Sequence, residues 1–338
     1  MILDIVMLVL SLAFILLAAS IFTNGVEVLG NKLKWHQGAV GSILAAVGTA
    51  MPETLIPIIA IMLYQDPKAD EVGIGAIAGA PFMLGTLAFF VTGVAVVVYG
   101  LLGRRSFKMT IDPAVLKRDL VFFLCLYGAA VLATFVHETV VLKDAIGIAL
   151  LLSYGWYVKC TLRSDGQVNE ALEPLLMTRI FKVNPRFRWA LFQVLAALAI
   201  MVLGAHMFVG YVTDLSLTLG VPALILSIII TPIATELPEK FNSVIWIGKK
   251  KDVLALGNLT GAMVFQSSFP VVFGVCFTHW DLMKDNGITM ASAILALASA
   301  AMVLAWVKIK GNLNPYVLMT CGLFYAAFVV YIVTHSAI

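Results

Sequence analysis

Two carboxylates stand where their surroundings make them expensive. Glu53 closes the stretch Gly48-Thr-Ala-Met-Pro-Glu53, and Glu239 closes Thr231-Pro-Ile-Ala-Thr-Glu-Leu-Pro-Glu239; both stretches lie inside long apolar runs. A charged side chain at membrane depth is costly enough to be a functional-site hypothesis by default. Each glutamate follows a proline, which in a helix interior removes one hydrogen bond and frees a carbonyl. Such irregular backbone survives at that depth only against protein or around a hydrated cavity. Sliding the chain by 186 positions superposes Thr49 on Thr235, Pro52 on Pro238 and Glu53 on Glu239. Helices interrupted at corresponding points of two halves are the sequence pointer to a midplane binding site. The chemistry on offer is cation binding. Carboxylates bring hard oxygen ligands and charge, while threonine hydroxyls and carbonyls freed by Pro52 and Pro238 add oxygens without charge.

The elements that must hold these residues are membrane helices. Hydrophobic residues make up 61% of the 338 and charged residues 12%, with a mean hydropathy of +1.01. Soluble domains carry about twice that share of charge. With about 20 mostly apolar residues needed per crossing, ten spans are expected: roughly 3–31, 37–64, 73–102, 119–136, 140–158, 189–213, 220–248, 253–278, 287–307 and 314–335. The first is read as a membrane helix rather than a cleaved signal, because Asp4 stands where a basic n-region would be. Cys125, Cys160, Cys276 and Cys321 are scattered with no CxxC, which makes them packing residues rather than ligands or disulfides.

Basic residues set the orientation. Of the 22 Lys and Arg, 18 fall in alternate loops or the central one: Lys32 and Lys34, the 104–118 group, the 159–188 group, Lys249–Lys251, and Lys308 with Lys310. By the positive-inside tendency that side is cytoplasmic and both termini face outward. The resulting organisation is a first five-helix unit at 1–158, a cytoplasmic connection at 159–188 carrying a short amphipathic helix, and a second five-helix unit at 189–338. Five helices per unit put the second upside down relative to the first, so the two Pro-Glu stretches enter from opposite sides and meet near the midplane.

The duplication extends beyond the acids. Gly41 and Ser227 each lie twelve residues before their glutamate, and Gly75-Ala-Ile-Ala-Gly79 matches Gly257-Asn-Leu-Thr-Gly261. This arrangement resembles the cation/calcium exchanger superfamily, whose repeats read approximately G-T-S-x-P-E and then G-N-x-x-G-S-N-x-x-N/D. The resemblance covers both repeats (48–53 with 75–84, and 231–239 with 257–266) and hence nearly the whole chain. It implies a midplane site in which Glu53 and Glu239 bind the cation. Thr49 and Thr235 match the threonines that line such sites, Asn258 has a family counterpart, and Gln266 aligns with a family ligand. Capping of the following helix half is an equal reading for the threonines. A neutral helix–helix hydrogen bond is an equal reading for Asn258.

The chain departs from the family where sodium ligands would stand. Ala80, Leu84 and Ala262 replace oxygen-bearing residues, leaving Gln266 alone, which makes protons a rival to sodium as counter-ion. Glu236 and Lys240 are additions at i and i+4, the spacing at which opposite charges meet. They are expected to neutralise each other and leave the site two net negative charges; a sharper reading makes Lys240 a built-in cation. Asn24 and Glu27, late in the first helix, are expected to snorkel to the cytoplasmic interface.

The expected protein is therefore an all-α polytopic membrane protein of the inner or plasma membrane. It would be an antiporter exchanging Ca2+ for Na+ or H+. The alternatives are a cation channel, since acidic groups also build filters, or a proton-coupled Mg2+/Mn2+ exchanger. No Walker loop, nucleotide fingerprint or nucleophile–base constellation is present, so no enzyme activity and no cofactor is expected. The partners implied are the lipid bilayer and inorganic cations, not nucleic acid; oligomeric state is not legible.

Overall fold

The computed structural model describes residues 2–32, 50–64, 66–164, 174–176, 178 and 187–335. Among them every regular element is helical. The chain runs α1 (Ile2–Lys32), α2 (Met51–Leu63), α3 (Pro67–Met83), a π-helical turn (Leu84–Ala88), α4 (Phe89–Leu101), α5 (Pro113–Leu132) and α6 (Val140–Ser164). Beyond the connection come α7 (Phe187–Leu219), α8 (Ala223–Gly248), α9 (Asp252–Gln266), α10 (Phe269–Phe277), α11 (Ile288–Lys310) and α12 (Pro315–His335).

Local chemistry starts several of these helices. Asp66 and Asp112 accept bonds from the backbone amides two or three residues on, and Pro67 and Pro113 follow them in the first turn. Asn314 before Pro315 does the same for α12. An Asx side chain satisfies an orphan amide there, and proline costs nothing where its missing N–H would be unbonded. Gly220 takes a left-handed φ of +67°, which lets the chain reverse between α7 and α8.

Eight helical runs among the described residues are long and apolar enough to cross a membrane. Two shorter apolar stretches, Met51–Leu63 and Ala223–Glu236, accompany them. The first carries the Pro52-Glu53 element, and the second is the N-terminal part of the helix that continues to Gly248. Outward faces are as apolar as the interior, with Leu3, Leu17, Leu203 and Leu323 among the exposed side chains. The result is a multi-pass integral membrane protein, because that surface has no favourable solvent but lipid.

Packing pairs the two halves. α1 lies along α7, and α5 along α11. α3 packs on α8 while α2 meets α10; α4 packs on α12 while α10 packs on α6; α5 meets α9 while α3 meets α11. Exchanging each element for its counterpart in the other half returns α1–α7 and α5–α11 to themselves and swaps α4–α12 with α10–α6 and α5–α9 with α3–α11. Two apolar clusters result. Ile15, Ile56, Phe208 and their neighbours join α1, α2, α3 and α7. A larger cluster around Phe82, Phe123, Trp280 and Phe328 joins α3 to the remaining helices.

Two expectations need correction. The stretch 231–239 does not break its helix: α8 is continuous from Ala223 to Gly248 through Pro232 and Pro238. An interior proline costs one amide and bends a helix, and neighbouring helices at that depth re-satisfy the freed group. Asn24 does not snorkel. It is buried, its side-chain oxygen accepts from Gln193 Nε2 at 3.0 Å and Leu176 N at 2.9 Å, and it thereby ties α1 to α7 and the connection. The polar neighbour needed for this lies 169 residues away. The Glu27 side chain and most of 159–188, including the expected amphipathic helix, lie outside the described residues.

Candidate functional site

α2, α3, α8 and α9 converge on the residues singled out by the duplication. Glu53 sits in the first turn of α2 with its side chain buried (3% exposed). A helix N-terminus carries partial positive charge, which favours a carboxylate placed there. Pro52 shares that first turn, so it withholds no bond from within α2; the interior proline is Pro57, whose missing amide leaves the Glu53 carbonyl without its helical partner. Within α2 the freed carbonyl is therefore that of Glu53, opened by Pro57, and not one opened by Pro52. Thr49 lies outside the described residues. Glu239 falls on α8, three residues beyond Glu236, and its side chain lies outside them too.

The opposite wall is the close crossing of α3 on α8. A methyl group built at Gly79 would stand 2.5 Å from the Ile228 carbonyl oxygen and 2.7 Å from Pro232 Cγ; one at Gly75 would stand 2.7 Å from the Leu224 oxygen. Only glycine permits this approach. Pro232 withholds its amide from Ile228, so the freed carbonyl is the one α3 covers. Ser227 donates across the crossing to the Val72 oxygen at 2.6 Å and lies 3.1 Å from the Thr231 hydroxyl. Thr235 is fully buried and donates to the Thr231 oxygen at 3.0 Å. It sits mid-helix and caps nothing; its hydroxyl lone pairs remain acceptors.

One turn on, Glu236 and Lys240 form an ion pair, Oε2 to Nζ at 3.2 Å, with side chains only 2% and 3% exposed. Gln266, the last residue of α9, donates its amide to the other Glu236 oxygen at 3.3 Å. The structure thus gathers Glu236, Lys240 and Gln266 into one buried cluster. Gln266 points its nitrogen at an acid of this cluster. Asn258 is half-buried eight residues earlier on α9. Ala80 and Leu84 are buried and Ala262 is half-buried, with no side-chain oxygen among the three.

α3 and α9 both lose regularity at their C-terminal ends. Pro81 lies within α3, and the backbone then widens into the π-helical turn Leu84–Ala88, where Ser299 of α11 donates to the Gly85 oxygen at 2.5 Å. In the other half α9 stops at Gln266 and α10 restarts at Phe269, with the buried Ser267 and Ser268 bonded back to carbonyls of the preceding turn. The 182-residue shift that aligns Gly75 with Gly257 carries Leu84–Ala88 onto Gln266–Pro270. The irregularities are thus a matched pair, and such turns concentrate at functional sites.

Asp119 was missed from sequence because it falls at the edge of its apolar run. It is buried on α5, accepts from Thr260 of α9 at 2.7 Å and faces Arg118 at 3.1 Å. The available signal was an acid beside an arginine at the start of a span. Among the described residues no group of three or more His, Cys, Asp or Glu side chains could hold a metal ion, and the four cysteines are free thiols.

Residues 3–162 and 189–335 match the family described as sodium/calcium exchanger protein. An uncharacterized membrane protein of Methanocaldococcus jannaschii is 21% identical over 276 residues, 81% of each chain. Among solved structures, the H+/Ca2+ exchanger CAX superposes with a TM-score of 0.70 at 13% identity, over 99% of this chain and 87% of its own. The sodium-calcium exchanger NCX_Mj superposes with a TM-score of 0.56 at 16% identity, over 97% and 98%. At such identities these two likenesses establish the fold.

Proposed function

The chain belongs to the sodium/calcium exchanger protein family within the cation/calcium exchangers, and from that premise we propose that it exchanges a divalent cation, Ca2+, for Na+ or H+. Glu53 and Glu239 hold the divalent ion. Thr49, Thr235, Asn258, the Gln266 carbonyl and the freed backbone carbonyls assist. The observation that carries this reading is the buried Glu53 carboxylate in the first turn of α2, on a motif repeated in α8 at Glu239.

The cycle follows from charge. Two carboxylates without a cation resist passage through an apolar barrier, whereas the divalent ion or two monovalent charges neutralise them. Re-exposure to the other side then requires one cation or the other, which makes the exchange obligatory. The positions poor in oxygen, Ala80, Leu84 and Ala262, together with a Gln266 amide already turned to Glu236, favour H+ over Na+. A hard metal ion needs several oxygens; a proton needs one carboxylate.

Reconstituted protein should drive Ca2+ uphill on an imposed proton or sodium gradient. Glu53→Gln and Glu239→Gln should each lower that flux at least ~100-fold, the cost of about 2.7 kcal/mol in binding or barrier. Coupled flux surviving near wild-type level in either variant removes the site assignment. Downhill flux alone, with no counterflow, assigns a channel instead.

A further inference from the structure

We infer that Asp119 is a positioning residue for the proposed exchange: through Thr260 it holds the back of α9, and so sets where the front of that helix, with Asn258 and Gln266, stands at the ion site. The inference rests on the proposed exchange and adds a residue that lies outside both repeat motifs.

Three observations carry it. Asp119 is a carboxylate only 2% exposed within the apolar run of α5, where an acid is a functional-site hypothesis by default. Its Oδ1 lies 3.1 Å from Arg118 Nε and 3.1 Å from a terminal nitrogen of the same guanidinium. That guanidinium rests on the Tyr157 ring of α6, 5.5 Å from its centroid. Held from α5 and α6 in this way, Asp119 turns its other oxygen to α9, where Thr260 donates its hydroxyl at 2.7 Å. Thr260 also has the usual helical acceptor, the Leu256 carbonyl at 3.0 Å, but the shorter bond is charge-assisted and therefore the stronger.

Helix geometry makes that bond matter at the site. At 3.6 residues per turn, Thr260 stands about 160° round α9 from Asn258 and about 120° from Gln266. Asp119 thus grips α9 from behind. The contact in front is long, Gln266 Nε2 to Glu236 Oε1 at 3.3 Å. With side chains reaching about 5–6 Å from the axis, turning α9 by about 10° moves Gln266 by about 1 Å, enough to break the contact. The same place is bonded in the other half. A shift of 182 carries Thr260 onto Ala78, and Tyr127, eight residues beyond Asp119 on α5, donates to the Ala78 carbonyl at 3.3 Å. α5 therefore holds α3 and α9 at matching positions, by a neutral bond in one half and a charged one in the other.

The test is coupled Ca2+ flux by the full chain in proteoliposomes, with the KM for Ca2+ and the maximal rate measured separately. Thr260→Val removes the hydroxyl at nearly constant shape and should raise KM about 10-fold, the worth of one hydrogen bond to a charged group. The maximal rate should stay within about twofold of wild type, because binding and not the barrier is altered. Asp119→Asn should raise KM by a similar factor and the double variant no further, since both act through one bond. Thr260→Ser restores the hydroxyl and should return KM to within about twofold of wild type. A Thr260→Val protein with the wild-type KM overturns the inference, even where its thermal midpoint falls. So does a Thr260→Ser protein that behaves like Thr260→Val, or a double variant in which the two effects multiply. Should Asp119→Asn fail to fold, the two Thr260 variants decide. Absence of any Ca2+ counterflow in wild type rejects the exchange itself, a result distinct from coupled flux whose KM is indifferent to Thr260.

Discussion

Two buried ion pairs in this molecule are built differently. Arg105 and Asp252 meet at the end of the bundle that carries the basic loops. The contact is bidentate, at 2.6 and 2.7 Å, between side chains 3% and 2% exposed. Every remaining direction is used: Arg105 also donates to the carbonyls of Ile247, Ser106 and Lys108, and Asp252 also accepts from the Thr110 amide. Glu236 and Lys240 instead make a contact at 3.2 Å within a single helix, supplemented at 3.3 Å by Gln266. The first pair joins the loop after α4 to the first turn of α9, 147 residues away. The second joins residues that the helix holds together anyway. Burial alone does not distinguish a staple between segments from a contact within one helix; what each pair ties together does.

The largest stability effect should follow Arg105→Ala. It leaves Asp252 buried without its counter-charge, a loss of about 3–5 kcal/mol, read as a lowered midpoint of thermal unfolding in detergent. An unfolding midpoint within a degree of wild type would put this pair in the same class as the other. Arg105→Lys sharpens the contrast. It keeps the charge but loses the planar fork that bonds Asp252 and the carbonyls together, and should cost about 2 kcal/mol, in proportion to the charge-assisted bonds lost. The smallest effect should come from Glu236→Gln with Lys240→Met. Replacing a buried ion pair by residues of similar volume is often close to neutral, so the midpoint should move by less than about 1 kcal/mol equivalent. A loss as large as that of Arg105→Ala would make the α8 pair structural and erase the comparison.

The sequence made the site partly legible and left the rest out of reach for identifiable reasons. Span boundaries were readable because hydropathy is local: the expected 189–213 and 287–307 are found as Phe187–Leu219 and Ile288–Lys310. The Glu236–Lys240 contact was readable because i and i+4 are neighbours on any helix. The role of Arg105 was not. As one of five basic residues at 104–118 it signalled orientation, and nothing in that stretch announces a partner at Asp252. Asn24 with Gln193, and Asp119 with Thr260, were hidden likewise, since each acquires its partner only when helices from different halves pack.

Pro52 and Pro57 show the limit at finer scale. Both stand near Glu53 in sequence, and only the starting point of α2 at Met51 reveals that Pro52 withholds no bond within the helix while Pro57, inside it, frees the Glu53 carbonyl. The matched π-helical turn and serine joint of α3–α4 and α9–α10 have no composition signature in common, because a lost backbone bond is stabilised by whatever the neighbouring helix offers. By itself the sequence determined the membrane-spanning class, the duplication and the two Pro-Glu glutamates, because these depend on polarity and order along the chain. The tertiary structure alone decided that α8 stays continuous, that Gly79 covers the carbonyl opened by Pro232, and that Gln266 turns to Glu236. Each of those depends on how neighbouring helices pack against α8.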